Sequence, residues 1–404
     1  VYSSFQSRIS GIAVADFTLW GVIASPYLLK MQSILDFAEH NWQRWPDQAP
    51  WPAGLKMMWR LSKARKLGAI KRFPERVEGL DEYPAVPFYT ADGREFFYDS
   101  TGLALHLDQH THRHDAPLVP EDSAQAFVCR LIDEAFDEFG LYMVHHNRWV
   151  TSAKTNKMGV VTGKEMGKLL PIGIGKLVAR SMPRRQVRRC PYLFSVAPEG
   201  FEAGVTDALT PPSKEGFPAT HELLDTAWRS YLAAMEALLT EQPYLLGDRF
   251  TLADASAYGQ LSMNLIDGKA ADLIQELAPT TYNWLCRIRD GAHVGSRGEL
   301  YLSDHLAALL EAISETFVPL MQHNDAAYKA AVSAGESQFN EAAFDQGRAL
   351  YSGQLMGHQF RAVAKSFQIP VWNDLCSSWI ELDNEARQKL TRQFGTLNNL
   401  AFQE

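Results

Sequence analysis

The chain has 404 residues, a formal net charge of −8, 46% hydrophobic residues and 21% charged residues. That balance excludes an intrinsically disordered or low-complexity chain, and the length suits two or three domains with cores of their own. An acidic total also argues against a dedicated nucleic-acid binder. The total is uneven, however: residues 48–74 sum to +7, residues 151–190 to +9, and the remainder to −24.

Four cysteines, Cys129, Cys190, Cys286 and Cys376, are widely spaced and form no CxxC pair. This is the pattern of reduced thiols and gives neither a disulfide framework nor a zinc site. No apolar run reaches the roughly 18 residues of a membrane span. Val1–Ala15 lacks the apolar core of a secretory signal. These readings imply a cytoplasmic protein with no metal and no membrane span.

In chain order, Phe17–Val22 is predicted to be a short strand, with Phe17 and Leu19 on one face. Ser25 then suits a helix N-cap and Pro26 the first helical position. Tyr27, Met31, Ile34 or Leu35, and Ala38 continue at helical spacing to about His40. Further on, Pro84 and Pro87 stand at the head of a strand through Phe88-Tyr89. Asp92-Gly93 marks a hairpin turn into Glu95–Tyr98, and Asp99-Ser100 opens another helix. Two helix N-termini that follow strands and begin with serine are natural anion sites.

Downstream, Phe127 to Phe139 and on to Trp149 follow a long helical pattern. Leu223 to Leu232 restore that periodicity after a basic stretch rich in glycine and proline. Thr251 and Asp254, within Tyr244–Asp254, form an S/T-x-x-D capping box with Phe250 placed to staple onto the helix. Leu306 to Phe317 give one amphipathic helix, and others are predicted around 339–350 and 384–394. His106, His110, His112 and His114 cluster near the end of the first unit, but a solvated linker accounts for them better than a metal site.

Taken in order, Ser25-Pro26-Tyr27, Val86-Pro87, Asp99-Ser100 and the Thr251–Asp254 box resemble the glutathione transferase superfamily, of which this chain would be an enlarged member. The resemblance implies an α+β thioredoxin-like domain followed by an all-α helical domain, with a C-terminal helical extension. The implied boundaries are a tail at 1–16, a glutathione-binding domain at 17–110, a helical domain at 111–300 and the extension at 301–404. Basic insertions fall near 41–82, where no second strand is evident, and near 151–219.

The resemblance also assigns roles, with glutathione as co-substrate. Ser25 would be catalytic, its hydroxyl facing the glutathione sulfur. A free thiol ionises near pH 8.5, and one hydrogen bond to a charged group contributes roughly 1.5–3 kcal/mol. At about 1.4 kcal/mol per pKa unit, Ser25 and the helix dipole would lower the thiol by one to two units. Val86 and Pro87, at a cis-proline turn, would pair with the cysteinyl backbone of glutathione. Asp99 would meet the γ-glutamyl ammonium and Ser100 its carboxylate. The alternative for Ser25, and for Asp99-Ser100, is helix capping alone.

A cation among Lys56, Arg60 and Lys63 would take the glycine carboxylate. Tyr142, His145, His146 and Trp149, with Arg148, would line the pocket of a small, partly apolar electrophile; core packing is the alternative for each. Tyr27 is a competing hydroxyl whose register points to the core. The implied protein is a homodimeric transferase. Ether cleavage, dehalogenation and isomerisation share its first step, and a non-catalytic glutathione-binding or scaffold protein is the rival. Serine instead of cysteine at position 25 counts against a thiol oxidoreductase.

Overall fold

The structure is a computed structural model that describes residues 15–74, 76–77, 87–110, 116–169 and 173–399. β1 (Phe17–Trp20) is followed by α1 (Pro26–Phe37), which Ser25 caps by accepting a hydrogen bond from the Leu28 amide. The Trp-rich segment then forms β2 (Trp42–Trp45), parallel to β1 with Phe17 opposite Trp42. The expectation of a missing second strand is therefore wrong. Trp45 is buried with Trp20 in a small core, so aromatic side chains build this strand in place of an aliphatic run. α2 (Ala53–Lys66) follows, and then the short strands β3 (Lys71–Arg72) and β4 (Arg76–Val77).

β5 (Phe88–Thr90) runs antiparallel to β1, and β6 (Phe97–Tyr98) antiparallel to β5. The sheet order is β2-β1-β5-β6-β3-β4. Its first four strands have thioredoxin-like connectivity: a parallel pair joined through α1, then an antiparallel hairpin. The hairpin turn is held by Asp92, whose Oδ1 accepts from the amides of Arg94 and Glu95. α3 (Ser100–His110) closes this domain. Val86 lies outside the described residues, and so do His112 and His114.

The helical domain begins with α4 (Ser123–Glu134), capped by Asp122. Two π-helical turns, 135–140 and 147–151, flank α5 (Leu141–His146), so that one long rod runs from 123 to 151 as the periodicity predicts. α6 (Met158–Met166) and α7 (Ile174–Arg188) form a hairpin that accounts for much of the basic 151–190 segment. A Cβ on Gly163 would lie 2.4 Å from the Gly175 carbonyl, so glycine is what lets these two helices touch.

α8 (His221–Glu241) and α9 (Leu252–Ser262) carry the core of the helical domain, and α9 packs along α1. The capping box forms, with the Thr251 amide and hydroxyl both donating to Asp254 Oδ2 at 2.9 and 2.8 Å. Asp254 Oδ1 also accepts from the Leu245 amide, and burial pushes the Asp254 carboxyl up to about 7. α10 (Gly268–Leu277) and α11 (Pro279–Arg289) complete the domain.

The C-terminal extension is not wholly helical. α12 (Ala307–Glu315), α13 (Phe317–Ser333) and the short α14 (Glu341–Asp345) lead into an antiparallel pair, β7 (Leu350–Leu355) and β8 (His358–Val363). The connecting residues Met356 and Gly357 both have positive φ, 48° and 79°, the backbone that a two-residue hairpin turn requires. α15 (Gln368–Glu381) and α16 (Asn384–Gln393) follow. No helix among the described residues is long and apolar enough to cross a membrane, and no group of His, Cys, Asp and Glu among them is arranged to hold a metal.

Candidate functional site

A cavity of about 960 Å³ opens between the small sheet, the α4–α5 rod, α7 and the extension. Its thioredoxin-like wall is built from Ala24, Pro26, Tyr27, Pro87, Asp99 and Ser100, the residues around the two serine-headed helix starts. Ser25 itself is buried at the α1 N-terminus between Ala24 and Pro26. Among the described hydrogen bonds its hydroxyl only accepts, from the Leu28 amide at 3.4 Å. A serine hydroxyl has one proton and two lone pairs, so capping leaves its proton uncommitted, but Ser25 is not among the residues that line the cavity, which Ala24 and Pro26 on either side of it are. The expectation that Tyr27 is a core residue is corrected: it lines the cavity, with its hydroxyl proton committed to the Asp137 carbonyl at 2.7 Å.

Two long-range contacts fix the loop before Ser25. Arg148 donates to the Ala24 carbonyl at 3.0 Å while its Nε holds Asp267 at 2.8 Å and its other amine the Met263 carbonyl at 2.6 Å. Glu165 on α6 accepts from the Ile23 amide at 3.1 Å and from Arg44 at 2.5 Å. The one acidic residue of the basic 151–190 segment thus buttresses the turn that presents Ser25.

The Asp99-Ser100 start is more occupied than the sequence suggests. Asp99 has φ +78°, and its Oδ1 caps α3 through the amides of Thr101 and Gly102 at 2.9 and 3.1 Å. Its Oδ2 pairs with Arg72 from β3. Burial works to raise the Asp99 carboxyl, but Arg72, Lys30 and the amides outweigh it and hold it below the usual range. Ser100 Oγ lies 3.5 Å from Asp137 Oδ2, and Asp137 also takes Lys30 at 2.6 Å. Burial pushes Asp137 up to about 7 against the pull of Lys30. The arrangement therefore differs from a simple ammonium-and-carboxylate pair: both groups already have partners within the chain.

The cations that reach the cavity from the first basic segment are Arg65, Lys66 and Arg72. Lys56, Arg60 and Lys63 do not line it: Arg60 bonds the Gly93 carbonyl, Lys63 lies over the Trp59 ring, and Lys56 is exposed. The helix is the expected one, but a different face of it turns toward the cavity.

On the opposite wall, Tyr142, His145 and Trp149 line the cavity, as does Arg148. Burial, with the Arg189 charge added, drives His145 down to about 3, so it is neutral at physiological pH. His146 is not part of the lining. It packs edge-on against His221 at 4.9 Å, because neighbouring residues of a helix point about 100° apart.

Sequence reasoning missed the groups that complete this wall. Glu134 and Glu138 of the rod, Met182, Arg185 and Arg189 of α7, and Phe339 and Lys365–Phe367 of the extension all line the cavity. Glu138 accepts from Gln368 at 2.9 Å, and burial pushes its carboxyl up to about 8. The extension thus roofs the cavity, a placement for which the sequence carried no local motif.

Residues 218–263 match the family model described as glutathione S-transferase, C-terminal domain. The match spans α8, the capping box and α9. Solved structures with similarity include the β-etherase LigF from Sphingobium sp. strain SYK-6, at 18% identity and TM-score 0.40, covering 68% of this chain and 95% of that one. Another is glutathione transferase GSTFuA3 from Phanerochaete chrysosporium, at 14% identity and TM-score 0.41, covering 69% and 98%. A third is a glutathione S-transferase from Methylobacillus flagellatus KT with glutathione bound, at 16% identity and TM-score 0.37, covering 69% and 100%. No curated protein sequence matches the chain.

Proposed function

We propose that this chain, whose residues 218–263 match the glutathione S-transferase C-terminal family model and which has a thioredoxin-like sheet, is a glutathione-dependent transferase. Glutathione is the co-substrate, and its thiolate attacks an electrophilic, partly apolar small molecule. The observation that carries this reading is the convergence, on one cavity of about 960 Å³, of the α1 and α3 N-termini, Arg65 and Lys66. Helix N-termini and cations favour a ligand with two carboxylates and an ionisable thiol.

In this reading the Ser25 hydroxyl donates to the sulfur while it caps α1, and Arg148 and Glu165 hold its loop in place. Pro87, with Val86 before it, aligns the peptide backbone of glutathione. Arg65 or Lys66 takes the glycine carboxylate. Asp99, shared with Arg72, and Ser100, shared with Asp137, receive the γ-glutamyl end. The thiolate adds to the electrophilic carbon as the leaving group departs with the bonding pair. Leu141, Trp149, Met182, Leu193 and Phe339 supply the apolar wall for that substrate. Conjugation is the simplest outcome; ether cleavage, dehalogenation and isomerisation begin the same way. A cytoplasmic homodimer completes the proposal.

The second reading is glutathione binding, or a scaffold role, without turnover. The prior engagement of Asp99 by Arg72 and the approach of Asp137 to Ser100 favour it. One experiment separates the two: thermal unfolding with glutathione, then conjugation of a generic electrophile by wild type and Ser25→Ala. Ligand at 100 times its dissociation constant stabilises by about 2.7 kcal/mol. A shift with Ser25-dependent turnover supports the transferase. A shift without turnover supports the binding protein, and no shift removes both.

A further inference from the structure

The two basic segments that break the acidic average lie side by side. Lys168, two residues beyond α6, pairs with Asp47 at 2.5 Å, and Glu165 pairs with Arg44, both partners standing just before the first segment; within it, the Leu169 side chain packs on Gly54 at the start of α2. The two basic segments thus meet where Leu169, after α6, touches Gly54, and both present exposed cations at the surface of a chain whose remainder is strongly acidic.

That surface is also where large apolar side chains face solvent. Among the described residues, the large hydrophobics more than 60% exposed are Trp51 at 69%, Trp59 at 64%, Leu67 at 69%, Val160 at 67% and Leu177 at 64%. All five belong to these two segments; elsewhere the most exposed is Ile380, at 48%. The cations interleave with them. Lys56 and Lys63 flank Trp59 at helical spacing, and Arg180, Arg184 and Arg188 continue the line of Leu177 along α7. Between α6 and α7 an open groove of about 520 Å³ is lined by Val160, Lys164, Lys168 and Lys176 over a glycine floor.

We propose that this surface docks the protein reversibly on an anionic lipid bilayer, with Trp51, Trp59, Val160 and Leu177 entering the headgroup boundary and the surrounding Lys and Arg meeting lipid phosphates and carboxylates. The charge is complementary to an anionic leaflet, and each cation near such a surface adds attraction. Exposed tryptophan beside lysine suits the interface, where an apolar ring and a polar edge are both satisfied. A second copy of the chain is a poorer occupant, because a two-fold interface would set this basic patch against itself. A nucleic-acid duplex, whose bases are stacked inside, would use the cations and leave the five apolar side chains in water. The proposal does not depend on the reaction assigned to the cavity.

The test is flotation of the full chain with vesicles of phosphatidylcholine containing roughly one-third phosphatidylserine, against pure phosphatidylcholine. Binding is expected to the anionic vesicles alone, with a blue shift in tryptophan emission and loss at high salt. The surface variant Trp51→Ala/Trp59→Ala/Leu177→Ala, and separately Lys176→Glu/Arg180→Glu/Arg184→Glu, each lower the affinity at least about tenfold. Circular dichroism confirms that both variants fold. Four outcomes overturn the proposal: no binding to anionic vesicles at low salt; binding that the apolar variant leaves unchanged; preference for a DNA or RNA duplex over the vesicles; or a change in oligomeric state in the apolar variant with no vesicle binding.

Discussion

Lys30 and Asp137 are 107 residues apart in sequence, yet their charged atoms lie 2.6 Å apart, with Lys30 almost wholly buried. The same ammonium reaches Asp133 at 2.5 Å and the Thr101 hydroxyl at 2.8 Å. One side chain of α1 thus ties the rod of the helical domain to the start of α3, next to the Ser100 hydroxyl. Burial works to remove the Lys30 charge, but Asp133 and Asp137 outweigh it and raise its pKa. Lys30→Met takes the ammonium from two buried carboxyl groups and leaves Asp133, among the described residues, with only the more distant Arg130, at 3.7 Å. The expected loss is about 3–5 kcal/mol of stability, read from urea unfolding. A loss below about 1 kcal/mol would show that the pair is dispensable to the domain contact.

Ser25→Ala separates the two tasks given to that hydroxyl. Loss of the cap lowers stability by about 1 kcal/mol. Loss of the donor raises the pKa of the bound glutathione thiol by one to two units, at about 1.4 kcal/mol per unit. Thiolate absorbance against pH, with glutathione saturating, measures the second effect independently of the first. An unchanged thiol pKa assigns Ser25 to capping alone.

Arg65→Ala/Lys66→Ala tests the glycine-carboxylate end. Both side chains are exposed at the cavity rim. The expected effect on glutathione affinity is therefore moderate, about tenfold, and is greatest at low salt. Calorimetric titration at two ionic strengths checks both. The same affinity in wild type and variant moves the carboxylate to another cation.

Glu138 gives a pH dependence of definite sign. Its folded value, about 8, lies above the ordinary value of 4.5 because the carboxyl is desolvated. The folded state therefore keeps the proton longer than the unfolded state, and stability is lost as pH rises from 4.5 toward 8. Glu138→Gln still accepts from Gln368 and has no charge to desolvate. The variant should gain on the wild type progressively across that window, by about 2 kcal/mol or more at the top at about 1.4 kcal/mol per unit. Unfolding free energies at pH 5 and pH 8.5 decide it; parallel profiles would show a solvated carboxylate.

Local signals told most about the site's foundations. Ser25-Pro26, Asp99-Ser100 and the Thr251–Asp254 box could be read from residues within one helical turn, because capping is a contact between near neighbours. The long rod was legible from its apolar period. Strand β2 was not, since its four residues Trp-Gln-Arg-Trp lack an aliphatic pattern and gain their order from pairing with β1. The β7–β8 hairpin was missed for a related reason: Met356-Gly357 lacks the Asn or Asp that usually announces such a turn.

By itself, then, the sequence determined where helices begin, which hydroxyls stand at their N-termini, and that two basic segments interrupt an acidic chain. Tertiary structure alone decided what those groups face. Arg72 reaches Asp99, Asp137 reaches Ser100, and Arg148 grips the carbonyl beside Ser25 across 27, 37 and 124 residues. It also placed the C-terminal extension over the cavity and brought Leu169 of one basic segment against Gly54 of the other. Capping depends on a few backbone dihedrals, whereas charge pairing and burial depend on which distant helices share a core, and no local period encodes that choice.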